Sequence, residues 1–325
     1  MSPLRWGLLS TARINRLIIP AIRASARSDV AVVASRALDR AQAYAAEWKI
    51  PRALGSYEAL VGDPEIDIIY IALPNSLHVE WTVRALEAGK HVLCEKPLAL
   101  TVEDVDRIQA AATRASRVAT EAFMYRHHPL TLAAQAVVRS GRLGDVRGYK
   151  GAFTFPLTRE GDVRFESSLG GGSVWDVGCY PISYACFLAD AAPVDVFGWQ
   201  QPSAPSVDLE FGGMLRFGDG SVAQFDSGFL GPSRSEMEVV GRDAVLRIVR
   251  PFRTDVHSRL LLTRGDDTER LPFDPEPPFA GEIADMEAVA LDGRPPRIPL
   301  SESRRTVQTI RSLYDSARAG RPVHL

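Results

Sequence analysis

The segment His91-Val92-Leu93-Cys94-Glu95-Lys96-Pro97 runs an apolar stretch into a charged pair and a proline. A short apolar run bounded in this way reads as a buried strand, and proline stops it because it cannot donate to a sheet ladder. In an open parallel sheet, ligands lie beyond the carboxyl ends of the strands. Lys96, flanked by Glu95 and Pro97, is therefore expected to face a cofactor or a substrate.

Upstream of this segment, short apolar runs alternate with amphipathic ones. Strands are expected over 4–9, 30–34 and 66–73, with helices over 12–26, 37–48 and about 76–88 between and after them. Downstream come a helix over 102–115 and a short strand over 118–120. Strands alternating with helices of this length make right-handed βαβ units and a parallel sheet. Near residue 125 the pattern changes. A helix over about 130–140 leads to strand-like runs at 146–155, 194–199, 211–217, 221–229, 235–240 and 244–248. Gly218-Asp219-Gly220 and Gly241-Arg242-Asp243 are hairpin signals between some of these runs. Two helices follow, over about 278–291 and 301–318. The fold class is α/β: a Rossmann-type domain over 1–123, then an α+β domain over 124–325.

A chain of 325 residues suffices for two such cores. With 38 basic and 40 acidic residues it carries a formal net charge of −2 and no block of like charge. Nothing in that pattern points to a nucleic-acid or membrane partner. The three cysteines, Cys94, Cys179 and Cys186, are too few and odd in number for a disulfide framework. The opening Met1-Ser2-Pro3-Leu4-Arg5-Trp6-Gly7 shows no basic-then-apolar leader, and no stretch approaches the ~20 apolar residues of a membrane span. A cytoplasmic protein is expected.

After the first strand the chain reads Ser10-Thr11-Ala12-Arg13-Ile14-Asn15 and enters a helix. A dinucleotide-binding turn puts backbone N–H groups and a helix N-terminus under the pyrophosphate. Glycines normally take its special places, but small residues also allow close approach. An ordinary capped helix is the plain alternative. At the end of the second strand a carboxylate selects NAD(H), whereas arginine favours NADP(H). The chain has Ser35-Arg36 there, with Arg40 one helical turn later, so NADP(H) is expected over NAD(H). Leu73-Pro74-Asn75 and His78 follow the central strand and would flank the cofactor. With no second histidine nearby, His78 is read as no metal ligand, and a surface or capping role is its plain alternative.

The second candidate cluster is Gly170-Gly171-Gly172-Ser173 followed by Val174-Trp175-Asp176-Val177-Gly178-Cys179-Tyr180. If this opens a helix, Asp176 and Tyr180 share one face, and with Lys96 they could converge in a cleft. Hydride transfer at an oxygen-bearing carbon needs a group that exchanges the oxygen's proton. Free Tyr and Lys both titrate near pH 10, but an adjacent ammonium lowers a phenol's pKa, which makes Lys96 with Tyr180 a workable acid–base pair. Asp176 would orient the lysine or bond a substrate hydroxyl. The plain alternative makes Asp176 a cap and Tyr180 a core residue. The glycines fit either a flexible turn or close approach of a ligand.

Together these motifs resemble the Gfo/Idh/MocA oxidoreductase family. Glu95-Lys96-Pro97 is similar to its Glu-Lys-Pro signature, Gly171-Gly172 through Tyr180 to its second-domain motif, and the segment 121–129 to its crossing between domains. The resemblance implies a C-terminal domain with a large open mixed, mainly antiparallel sheet, and a homodimer or homotetramer formed through that sheet. It also implies that Lys96 contacts both nicotinamide and substrate, that the bond before Pro97 is often cis, and that Tyr125 and Arg126 contact substrate. Tyrosine at 180 resembles the branch of glucose–fructose oxidoreductase, D-xylose dehydrogenase, dihydrodiol dehydrogenase and deoxysugar 3-ketoreductases. Gly161-Asp162-Val163-Arg164-Phe165 is most similar to the nucleotide-sugar ketoreductases, with Arg164 reaching a substrate oxygen or diphosphate.

The expected function is NADP(H)-dependent hydride transfer to or from a sugar or polyol carbon, leaning to keto-sugar reduction. The alternatives are an aldose or trans-dihydrodiol dehydrogenase, a non-catalytic cofactor-sensing protein, and an enzyme shuttling hydride between two sugars on a retained cofactor.

Overall fold

The computed structural model describes residues 3–201 and 207–325. In chain order the first elements are β1 (Leu4–Leu9), α1 (Asn15–Ala24), β2 (Ser28–Ala34), α2 (Leu38–Trp48), β3 (Arg52–Leu54) and α3 (Tyr57–Val61). Next come β4 (Ile68–Ile71), α4 (His78–Glu87), β5 (His91–Glu95), α5 (Val102–Ala115) and β6 (Ala119–Ala122). After them come α6 (Pro129–Arg139), β7 (Val146–Thr154), α7 (Cys179–Ala189), β8 (Pro193–Gln200), β9 (Glu210–Phe217) and β10 (Val222–Gly228). The chain ends with β11 (Arg234–Gly241), β12 (Val245–Val249), β13 (Arg259–Arg264), β14 (Asp267–Leu271), α8 (Ala280–Asp292), α9 (Leu300–Ala319) and β15 (Val323–His324). Among the described residues no helix is long and apolar enough to cross a membrane.

Two compact units form: 1–124 with 279–304, and 125–278 with 305–325. In the first, six parallel strands lie in the order β3-β2-β1-β4-β5-β6, the doubly wound arrangement. Its inner strands are apolar on both faces because helices cover both. Ile68, Ile69, Tyr70 and Ile71 of β4 are all fully buried. Local signals set the helix ends: Thr101 caps α5 by accepting the Asp104 N–H, with Glu103 and Asp104 in the first turn.

The first unit takes in 279–304 as well as 1–124, so α8, which the sequence pattern assigns to the 124–325 domain, packs with the first unit. Ile283 and Met286 are buried in the core with Trp6, Ile18, Ile22 and Val30. Ser28 links Trp6 Nε1 (3.0 Å) to the Glu287 carboxylate (2.6 Å). Burying the two apolar side chains contributes about 1.5–3 kcal/mol each. That interaction is with residues some 250 positions away in sequence, which local periodicity does not report.

In the second unit nine strands lie in the order β14-β13-β12-β11-β7-β10-β9-β8-β15. β7 and β10 pair in parallel and the other neighbours are antiparallel, so the sheet is mixed and mainly antiparallel. β9 alternates buried residues with half-exposed or exposed ones, the mark of one covered face. β3, α3, β13, β14 and β15 were not anticipated. Most are short or polar, and they are stabilised by pairing with neighbours more than by their own pattern.

Candidate active site

In the first unit the candidate residues gather at the carboxyl ends of β1, β2, β4 and β5. The turn after β1 is built without glycine. Ser10 stands at φ 111°, a region L-residues rarely enter, and its own groups hold it there. Its hydroxyl donates to the Ala72 carbonyl (2.7 Å) and accepts the Ala12 N–H (3.2 Å). Asn15, wholly buried, donates its side-chain N–H to the Ser10 carbonyl (2.8 Å). Among the described residues the N–H groups of Thr11, Arg13 and Ile14 have no partner, and α1 has no acid in its first turn. Those free donors and the positive end of α1 suit a pyrophosphate, so a dinucleotide fits this turn.

Beyond β2, Ser35 is buried and Arg36 exposed. The guanidinium of Arg36 lies beside the phenol of Tyr57, and Arg40 lies within electrostatic reach of it. Burial raises the Tyr57 pKa, while the two arginines oppose that rise. Tyr57 packs edge-on against Trp81 with ring centroids 5.2 Å apart, so the phenol is fixed. Two cations at this strand end suit a 2′-phosphate better than a ribose hydroxyl.

Beyond β4, Asn75–Leu77 form a 3₁₀ turn leading into α4. His78 is fully buried, with Nδ1 2.8 Å from the Pro97 carbonyl oxygen and Nε2 2.8 Å from that of Leu73. It joins the two loops that carry Leu73-Pro74-Asn75 and Lys96-Pro97. Burial, with the Lys96 ammonium adding to it, lowers the pKa of the ring, and the two carbonyls resist.

Glu95 accepts a hydrogen bond from Tyr70 (2.5 Å). Lys96 is half-buried, and the Lys96–Pro97 peptide is cis. Buried Glu121 accepts the Leu98 N–H (2.9 Å). The lysine turn is thus anchored at Glu95, Pro97 and Leu98. Tyr70 and Glu121 carry no sequence signal for this, because one looks like any strand aromatic and the other lies on a different strand.

In the second unit a single π turn, Val174–Gly178, leads directly into α7. Such turns recur at functional sites. Asp176 Oδ2 accepts from Arg164 Nε (2.6 Å), and Arg164 Nη1 donates to Asp162 (3.1 Å). Asp162 also takes Arg159. Burial would raise the Asp162 carboxyl, but these arginines hold it below the usual range. Arg164, expected to reach a diphosphate, is thus committed to two carboxylates.

Tyr180 opens α7 inside an aromatic cluster, with centroids 5.1 Å from Phe153, 5.3 Å from Phe252 and 5.6 Å from Tyr125. Tyr125 and Arg126 lie in the interior. The Tyr125 hydroxyl bonds Ser183 (2.9 Å), and the Arg126 guanidinium sits 3.8 Å over Phe187.

The glycines resolve as close approach, but to the protein's own atoms. A side chain at Gly171 would meet the Arg164 carbonyl, and one at Gly172 (φ 119°) would meet Asp208 and Tyr314. Asp208 was missed from the sequence, since it lies 35 residues beyond the motif it holds. It accepts from Ser173 Oγ (2.6 Å), the Val174 N–H (2.8 Å) and Tyr314.

The model of an oxidoreductase family with an NAD-binding Rossmann fold matches residues 4–123, and that of the GFO/IDH/MocA C-terminal domain matches 131–247. The chain belongs to the Gfo/Idh/MocA oxidoreductase family. Among Gfo/Idh/MocA relatives, a D-xylose 1-dehydrogenase (NADP(+)) of Haloferax volcanii is 37% identical over 98% of this chain and 99% of its own. The crystal structure of an aldose-aldose oxidoreductase from Caulobacter crescentus with glycerol superposes with TM-score 0.93 at 27% identity, covering 99% of this chain and all of the other. That of a 3-ketoreductase from Actinomadura kijaniata with NADP and TDP-benzene gives TM-score 0.90 at 30% identity, covering 98% of each. Within this Gfo/Idh/MocA oxidoreductase, Ser10 and Asn15 do with side-chain hydrogen bonds what glycines do by lacking a side chain.

Proposed function

We propose that this protein is an NADP(H)-dependent oxidoreductase that moves hydride between nicotinamide and a carbonyl or alcohol carbon of a sugar, leaning to keto-sugar reduction. The observation that carries the reading is the lysine turn. Tyr70, His78 and Glu121 hold its flanks at the carboxyl ends of the parallel strands, leaving Lys96 half-buried. Ser10, Thr11, Ala12, Arg13 and Ile14 take the pyrophosphate, and Arg36 with Arg40 the 2′-phosphate.

Bound nicotinamide supplies or accepts the hydride. Lys96 and Tyr180 hold the proton at the substrate oxygen, and Asp176 orients the substrate end, its own charge set by Arg164. The aromatic cluster around Tyr180 keeps water from the phenol's flank. A 3-ketoreductase relative supports the lean to a keto-sugar. A second reading, aldose oxidation, is favoured by the higher identity to the Haloferax D-xylose dehydrogenase. Exposed Phe197, Met214 and Trp199 on paired β8 and β9 support self-association through that sheet.

The test is oxidation of NADPH followed by absorbance with a panel of keto-sugars, and NADP⁺ reduction with aldoses and diols. Lys96→Ala and Tyr180→Phe are expected to lower kcat roughly 10²–10⁴-fold. Silence with every substrate in both directions rejects the reading.

A further inference from the structure

The loop after β12 carries an arginine that the reading above does not use. Arg253 is exposed, and its guanidinium carbon lies 5.3 Å from the ring centre of Phe153 and 5.2 Å from that of Phe155. Phe153 lies in β7 and Phe155 just past its end, and both rings meet this one guanidinium. The Phe153 ring in turn meets Tyr180 edge-on at 5.1 Å. The Phe153 ring therefore contacts both the Arg253 guanidinium and the Tyr180 ring.

The surrounding arginines are neutralised. Arg159 and Arg164 pair with Asp162, Arg164 also with Asp176, and Arg250 with Asp255 (2.7 Å). Arg253 alone of this group has no ion pair or hydrogen bond among the described residues. Arg164 attends the same Phe155 ring at 6.0 Å. A guanidinium stacked on two rings is oriented before any ligand arrives, and its planar fork matches phosphate oxygens. A cation so placed gains more from an anionic ligand group than from a neutral hydroxyl.

We infer that Arg253 forms an anion subsite beside Tyr180, and that the substrate is a phosphate or diphosphate ester of a sugar. The inference rests on Tyr180 marking the substrate end of the second unit. The ester's phosphate lies against Arg253 while its sugar ring lies toward Tyr180. Arg164, held by two aspartates, shapes the rim and does not neutralise the ligand.

The test is calorimetric titration of the full chain, saturated with NADP⁺, with dTDP-glucose, glucose 1-phosphate and glucose. Wild type is expected to bind both esters more tightly than glucose. Arg253→Ala should weaken the esters about tenfold or more and leave glucose unchanged. Arg253→Lys, which keeps the charge without the fork, should fall between. Unaltered NADP⁺ affinity in Arg253→Ala shows that the variant is folded. Esters that bind no better than glucose, or equally well to wild type and Arg253→Ala, overturn the subsite. Failure of wild type to bind NADP⁺ rejects the cofactor reading instead, and the same three titrations without nucleotide then judge Arg253 by the same comparison.

Discussion

Asn15 donates its buried side-chain N–H to the carbonyl oxygen of Ser10 at 2.8 Å, which ties the start of α1 to a residue standing at φ 111°. Removing this bond strands a carbonyl in the turn. Asn15→Ala is expected to cost about 1–3 kcal/mol of stability and to raise the Kd for NADP(H). Ser10→Gly relieves backbone strain of order 1–3 kcal/mol but loses two hydrogen bonds of about 0.5–1.5 kcal/mol each. Its net effect should be near zero. A thermal-unfolding loss as large as that of Asn15→Ala would show that the Ser10 side chain does more than offset its conformation.

Arg36 beside Tyr57 should decide the nucleotide. Arg36→Asp replaces a phosphate partner with a charge that repels it. NADPH affinity should fall at least about tenfold and NADH affinity should rise. Parallel titrations with the two nucleotides check this, and an unchanged preference excludes Arg36 from the 2′-phosphate site.

His78 joins the Leu73 and Pro97 carbonyls from a fully buried position. Its folded pKa lies below the ordinary 6.5, so the native ring resists protonation more than the unfolded one. The stability it contributes is present above pH ~6.5 and is lost as pH falls through the folded value. His78→Gln keeps one donor and cannot titrate, so its acid-side loss should be shallower than that of wild type. His78→Ala should lose about 1–3 kcal/mol at neutral pH. Denaturant melts from pH 5 to 8 test both, and identical acid slopes in wild type and His78→Gln count against the assignment.

Glu282, 1% exposed, sits near Glu95, and neither carboxyl oxygen has a hydrogen-bond partner among the described residues. Burial first, then the charges of Glu95 and Asp285, lift its pKa well above the ordinary 4.5. A raised carboxyl favours the fold below the unfolded value, and that contribution is lost as pH rises through the folded value. Glu282→Gln should therefore become more stable relative to wild type as pH increases. A difference between the two that stays constant from pH 5 to 9 would falsify the neutral-carboxyl assignment.

Asp208 holds Ser173, the Val174 N–H and Tyr314 at the entry to the Asp176–Tyr180 helix. Asp208→Ala leaves those donors buried without an acceptor and should cost about 3 kcal/mol. If it acts by positioning, Asp208→Asn should recover more of kcat than Asp208→Ala at equal NADP⁺ affinity. Equal kcat in the two variants removes it from any role beyond stability.

The first unit was largely legible in the sequence. The period-2 and period-3.6 patterns of 1–123 set its strands and helices, and α5 ends where the pattern places it, because caps and apolar stripes act within a few residues. The lysine turn was visible because a charged pair closing an apolar strand is locally anomalous. Tyr70, Glu121 and Asp208 were not visible, since each reaches its partner from a different element.

What the residues alone determined is the alternation that makes a parallel sheet and the placing of Lys96 at a strand end. They also showed the change of pattern near residue 125 and the motif from Gly170 to Tyr180. Tertiary structure decided the rest. It returned α8 to the first unit through Ile283, Met286 and Glu287. It fixed Ser10 in a glycine conformation, committed Arg164 to Asp162 and Asp176, and left Arg253 stacked and, among the described residues, without an ion pair. Local propensity acts over a turn or a strand, whereas hydrogen bonds and charge pairing are settled by whichever groups the folded chain brings within a few ångströms.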